Sequence, residues 1–199
     1  ETSSGQGGEG LLSGFKQVYS NRSALSCLMG MAISQTTWQA ILLFLASFYR
    51  QQFKLDIGTV VILNIGSVLC YIGGNLFTGR YANLLGRKRL SIISLLLSGV
   101  FMVPIFISPN YLLSYAFVIL FAIFGGVRAT STQSHTMEQM PTARGTLMSC
   151  MSAAISLGAA LGAAIGGYIL LGYGYAGFGY VFGAINILGA LVFAFLTRE

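Results

Sequence analysis

Two stretches of an otherwise apolar sequence carry polar side chains at helical spacing. In the first, Gln35, Trp38 and Gln39 fall at i, i+3 and i+4, with Met31 and Leu42 extending the line, so a helix presents them on one face. In the second, Arg128 follows Gly125 and Gly126, and Thr132 and His135 continue its face at i+4 and i+7. Amide, indole, hydroxyl and guanidinium groups bind rather than react: they offer hydrogen bonds, an aromatic plane and one fixed positive charge. Arg128 is the leading candidate for contact with a solute or for coupling, with Gln35, Trp38, Gln39 and Thr132 as its neighbours. Its charge points to an anionic group on whatever binds. Asn64, Asn75 and Asn186 are weaker candidates, because an isolated asparagine in an apolar helix often only joins it to another. His135 reads more simply as a residue near the aqueous end of its helix.

Reactive chemistry has no matching pattern. Cys27, Cys70 and Cys150 lie singly inside apolar runs, lack the paired Cys or Cys/His spacing of a metal site, and read as small buried residues. There is no P-loop, nucleophile elbow, zinc or dinucleotide motif, and no Ser/His or paired-Asp arrangement for a protease within the membrane. No enzyme activity, cofactor or metal is expected.

The elements that must hold those faces are membrane spans. Of 199 residues 55% are hydrophobic and 8% charged, too few charges to cover a soluble domain of this length. Six apolar stretches, near residues 24–49, 57–79, 89–108, 112–135, 145–171 and 175–196, each reach the ~20 residues that cross a ~30 Å hydrocarbon core as a helix. Barrel strands would be shorter and alternating. The connectors Arg50–Asp56, Arg80–Lys88, Pro109–Tyr111, Met137–Arg144 and Gly172–Gly174 are short enough to make neighbouring helices antiparallel. Arg128 stands ten residues before Glu138, roughly 15 Å inward and so near mid-membrane. Inserting an arginine there costs about 3 kcal/mol, so it is expected to face a wet cavity or a partner. No acidic residue lies inside a span, since Asp56 and Glu138 are at ends.

Outside the spans, residues 1–10 read as a Gly/Ser-rich linker without a secretory leader, and residues 11–23 as a short amphipathic helix at the interface; together, 1–23 precede a bundle over 24–199. Lys16, Arg22, Arg80, Arg87, Lys88, Arg89, Arg144 and Arg198 fall on one side by alternate loops, against Arg50 and Lys54 on the other. That bias predicts two cytoplasmic termini in a multi-pass protein of the cell (plasma or inner) membrane, and contact with lipid rather than nucleic acid. The sequon Asn21-Arg22-Ser23 then lies on the unglycosylated side.

Two loops carry a family resemblance. Gly79-Arg80-Tyr81-Ala82-Asn83-Leu84-Leu85-Gly86-Arg87-Lys88-Arg89 resembles the G-x-x-x-D-x-x-G-R-K-R loop of the major facilitator superfamily, with Asn83 where that pattern has Asp. Gly79 and Gly86 suit a tight turn and the basic triplet suits anionic headgroups. Glu138, Pro141, Arg144 and Gly145 form a second loop similar to one between the fourth and fifth helices of a facilitator half, where Glu138 and Arg144 are placed to pair as a latch. In the fifth stretch Gly158, Gly162 and Gly166 make a smooth stripe, fit for close approach either to an opposite half or within the same bundle.

The resemblance implies an all-α membrane protein: six transmembrane helices as two inverted three-helix repeats, over about 24–108 and 112–196. It implies the C-terminal half of a secondary transporter, working by alternating access with an N-terminal six-helix half or a second copy. A small solute would lie against Gln35, Trp38, Gln39, Arg128 and Thr132, because the first and fourth helices of a facilitator half line the cavity. Gly79, Asn83, Gly86, Arg87, Lys88, Arg89, Glu138 and Arg144 would form the gating loops. Proton-coupled efflux as an antiporter is one form of such activity; a non-transporting membrane module and a half-size transporter acting as a homodimer are the alternatives.

Overall fold

The computed structural model describes residues 15–140 and 144–196. Five helices follow a short helical segment at 15–20: α1 (Arg22–Gln52), α2 (Ile57–Leu85), α3 (Arg87–Ile107), α4 (Tyr111–Glu138) and α5 (Arg144–Leu196). All five are long and apolar enough to cross a membrane, and a helix satisfies its own backbone hydrogen bonds where no water is present. Short polar side chains begin three of them by accepting from otherwise orphaned amides. Asn21 accepts from the amides of Ser23 and Ala24 at 3.0 and 3.2 Å, Asp56 from that of Thr59 at 2.9 Å, and Asn110 from that of Leu112 at 3.0 Å.

Glycines with positive φ make two of the reversals. Gly86 (φ 81) is the sole residue between α2 and α3. The turn expected over Arg80–Lys88, opening at Gly79, is therefore corrected: Gly79 and Asn83 lie inside α2, which continues to Leu85. Polar residues mark where a helix leaves apolar surroundings, whereas the helix itself ends where the backbone enters the left-handed region that favours glycine.

Gly174 (φ 63) does the same inside α5. Straight, the 53 residues of α5 would reach about 80 Å, more than twice the membrane core. Instead Gly158, Gly162 and Gly166 face Ala32, Thr36 and Phe44 in ascending order along α1, while Tyr175, Gly189 and Phe193 meet Gln51, Ile33 and Gly30 in descending order. The chain thus reverses at Gly174, and two arms, 144–173 and 175–196, flank α1 in opposite senses. The stripe of Gly158, Gly162 and Gly166 is spent on α1 of the same chain, which decides between the two placements open to it.

Packing falls into two apolar clusters with a polar layer between them. One joins Ala40, Phe48 and Tyr49 of α1 to Phe106, Val118, Phe178 and Phe182. The other joins Cys27 and Met31 of α1 to Leu95, Leu147 and Phe193, together with Val18 of the short 15–20 segment. Val18 is fully buried and Tyr19 65% exposed, so this segment is docked on the bundle through one side chain. Between the clusters α1 contributes Ser34, Thr36 and Thr37, and α4 contributes Arg128, Ser131 and Thr132, all buried. α2 is the least enclosed helix: Ile62, Leu69 and Leu76 are 69%, 62% and 78% exposed.

Candidate functional site

α1 and α4 meet at the polar layer. Arg128, 5% exposed, donates from Nη1 to the Ser34 hydroxyl on α1. The Thr132 hydroxyl donates to the Arg128 carbonyl at 2.7 Å and that of Ser131 at 3.2 Å, so both side chains satisfy themselves on their own helix. Beside Arg128 opens a cavity of about 180 Å³, walled by Ser34 and Gln35 of α1, Tyr71 of α2, Arg128, Thr132 and Gln133 of α4, and Ile155 of α5. Among the described residues no carboxylate lies within ion-pair distance of Arg128. A buried cation without a counter-ion is costly in a medium of low dielectric. An anionic group entering this cavity would relieve that cost.

Glycines set the approach of the walls. A Cβ on Gly126 would overlap the Tyr71 carbonyl oxygen, and one on Gly125 would stand 2.9 Å from Cζ3 of Trp38. The pair therefore admits the α2 backbone on one side and the Trp38 indole on the other. Trp38 stacks on Tyr71 at 4.5 Å between ring centroids and on Phe121 at 5.8 Å. Asn75 accepts from Thr130 at 2.5 Å and donates to the Tyr71 carbonyl at 3.1 Å, which joins α2 to α4 and holds the helical turn that carries Tyr71.

Of the residues expected to touch solute, Gln35, Arg128 and Thr132 come together in one wall. Trp38 is held in the neighbouring aromatic stack, behind Tyr71, and Gln39, half-buried a turn further along α1, is outside the cavity wall. The i+4 spacing keeps Gln39 on the same stripe as Gln35, but a stripe is longer than the cavity it borders. Sequence reasoning missed Tyr71, Ser34 and Gln133. For Tyr71 a signal existed: a polar aromatic beside Gly73 and Gly74 in an apolar run, three residues before Gly74.

The loops also differ from expectation. Glu138 pairs with Arg87, not with Arg144, and His135 Nδ1 lies 4.0 Å from the same carboxylate; Arg144 is exposed. The near neighbour in sequence loses because α4 remains helical to Glu138 and delivers its carboxylate to the start of α3, where Arg87 stands. Pro141 lies outside the described residues. At this end Asn21 Nδ2 donates to the Gln139 carbonyl at 3.4 Å and the Ser23 hydroxyl to Gln139 Oε1 at 2.7 Å, so the sequon asparagine is engaged as a cap. Gly86, Arg87, Lys88, Arg89, His135 and Glu138 wall an open cleft there.

Membrane-length helices packed around a buried cationic cavity define a multi-pass membrane protein. The chain belongs to the Major Facilitator Superfamily, whose sequence profile matches residues 27–199. Members of that superfamily are membrane transporters. No curated protein sequence matches the chain.

Proposed function

We propose that the chain is the C-terminal six-helix half of a secondary active transporter, which moves a small solute carrying an anionic group by alternating access. The observation that carries this is Arg128: buried, hydrogen-bonded across α1 and α4, without a carboxylate partner among the described residues, and open to a 180 Å³ cavity. The two arms of α5 count as separate crossings in this proposal. Two inverted three-helix repeats are supported by the pairing pattern: α1 lies between the arms of α5, as α4 lies between α2 and α3, and α3 meets the second arm through Asn186 and Ser98 at 3.0 Å. The stripe of α2 that carries Ile62, Leu69 and Leu76 suits an N-terminal half or a second copy of the chain.

Cytoplasmic placement of both chain ends rests on the positive-inside bias. The 15–20 segment, Gly86 and residue 193 gather at one end of the bundle, together with Arg87, Lys88 and Arg89. A proton-coupled antiport version needs its titrating carboxylate from the other half, because the described cavity wall has none.

Transport by the full-length parent carrying Arg128→Ala tests the proposal. A drop of about tenfold or more in flux is expected, on the scale of one lost charge-assisted hydrogen bond, with partial retention in Arg128→Lys. Unchanged flux in Arg128→Ala removes this cavity from the pathway. Detergent-solubilised size separates a monomeric carrier from a homodimer of half-size chains.

A further inference from the structure

An apolar groove on the flank of the bundle has no part in the transport proposal. Its volume is about 540 Å³, and its walls include Cys70, Gly73, Phe77 and Leu85 of α2, Ile93 of α3 and Phe124 of α4. The groove exists because α2 and α3, joined only through Gly86, diverge from that joint and pack on α4 rather than on each other. Gly74 and Gly126 seat α2 on α4, and Phe101 seats α3 by stacking on Phe124 at 5.8 Å. From Cys70 to Leu85 the helix rises about 22 Å, enough to run from mid-membrane to headgroup level.

At Leu85 the groove changes character. The same leucine also walls the cleft of about 560 Å³ bordered by Arg87, Lys88, Arg89, His135 and Glu138. Three cations against one carboxylate, which itself pairs with Arg87, make that end positive. A slot of lipid length therefore opens at its outer end onto a cationic cleft.

We propose that groove and cleft together form a binding site for an anionic phospholipid, with one acyl chain between α2 and α3 and the headgroup phosphate against Arg87, Lys88 and Arg89. The acyl chain covers apolar surface that the helices leave open, including Phe77, 61% exposed, and Leu85, 45% exposed. That contact holds any lipid equally. Discrimination comes from the cleft, because a zwitterionic headgroup brings its own cation to an already positive surface whereas an anionic one does not. An uncharged apolar solute would use the groove and ignore the cleft.

Native mass spectrometry of the intact protein in neutral detergent tests this with phosphatidylglycerol and phosphatidylcholine of identical dioleoyl chains. Phosphatidylglycerol is expected to bind at about tenfold lower concentration, the scale set by one or two cations near a headgroup. In Gly73→Leu the new side chain projects into the groove, since a Cβ there meets nothing within 4 Å, and leucine favours the helix over glycine; it should lose phosphatidylglycerol by at least the same factor. Arg89→Gln should weaken phosphatidylglycerol about fivefold and leave phosphatidylcholine unchanged. Equal binding of the two lipids to the wild type overturns the proposal. So does phosphatidylglycerol binding that survives both substitutions.

Discussion

Buried polar side chains in this bundle divide into those that complete their hydrogen bonds and those that do not. Ser91, Ser94 and Ser98 on α3 are buried and donate to carbonyls of their own helix at 2.7–3.1 Å. Asn186 is different. Its Nδ2 donates to Ser98 Oγ at 3.0 Å, but its Oδ1 is buried with no partner among the described residues. An unsatisfied acceptor costs about 1–3 kcal/mol, while an apolar isostere at the same place leaves nothing unmet. Asn186→Leu is therefore expected to hold or raise the melting temperature in detergent, by about 2–4 °C if 1 kcal/mol is recovered. A fall of similar size would mean that the Ser98 contact outweighs the orphaned oxygen. Arg128 differs: it has a hydrogen bond to Ser34 but no carboxylate partner among the described residues, and it borders a cavity, which is what the proposed binding role requires of it.

Helices in lipid are held by close backbone approach, since hydrocarbon outside is as apolar as leucine inside. Gly126 and Gly162 have no room for a methyl group: a Cβ would overlap the carbonyl oxygen of Tyr71 or of Thr36. Gly167, on the same helix as Gly162, faces open space. Alanine at Gly167 is expected to be neutral or to stabilise by up to about 1 kcal/mol through helix propensity. Alanine at Gly126 or Gly162 should instead destabilise by about 1–3 kcal/mol as the helices part. Equal melting temperatures for the three variants would show that these crossings yield at no cost.

At the start of α2, the Thr59 hydroxyl and amide both donate to Asp56 and hold its carboxyl below the ordinary value of 3.8. The charged form is thus the one that caps. Its contribution is present above 3.8 and is lost as pH falls through the lowered folded value. The penalty of Asp56→Ala, followed by melting temperature in detergent, should accordingly shrink as the pH is taken below 3.8; a penalty independent of pH would assign the cap to something other than the carboxylate.

Over the whole molecule, one contact ties the two family loops together. Arg87 opens α3, Glu138 closes α4, and their ion pair spans the end of the bundle where α1 also begins. The side chains are 43% and 51% exposed, so solvent screening limits the pair to under about 1 kcal/mol of fold stability. Under the alternating access proposed above, an interaction that weak suits a contact that breaks and re-forms as two halves rock. Single substitutions Arg87→Gln and Glu138→Gln are expected to slow transport several-fold with little change in melting temperature, and the exchange Arg87→Glu with Glu138→Arg should restore much of the rate. A double variant no faster than the singles would deny the pair any part in gating.

The membrane, the helices and the two polar faces were legible in the sequence because hydropathy and helical period are local properties, carried within each stretch of 20 or so residues. The reversals at Gly86 and Gly174 were legible as glycines, although the span of helix around each was longer than hydropathy indicated. Which residues share the cavity was not legible. Gln35 lines the cavity with Arg128 while Gln39 does not, Tyr71 joins them from α2, and Glu138 reaches Arg87 across 51 residues of sequence rather than Arg144 nearby. Those outcomes depend on how each rod is rotated and which rods are neighbours, and that is set by contacts such as Gly126 on Tyr71 and Gly162 on Thr36 between segments far apart in the chain. Because lipid and apolar side chain are equivalent surroundings, composition is silent on rotation, and only the packed bundle decides it.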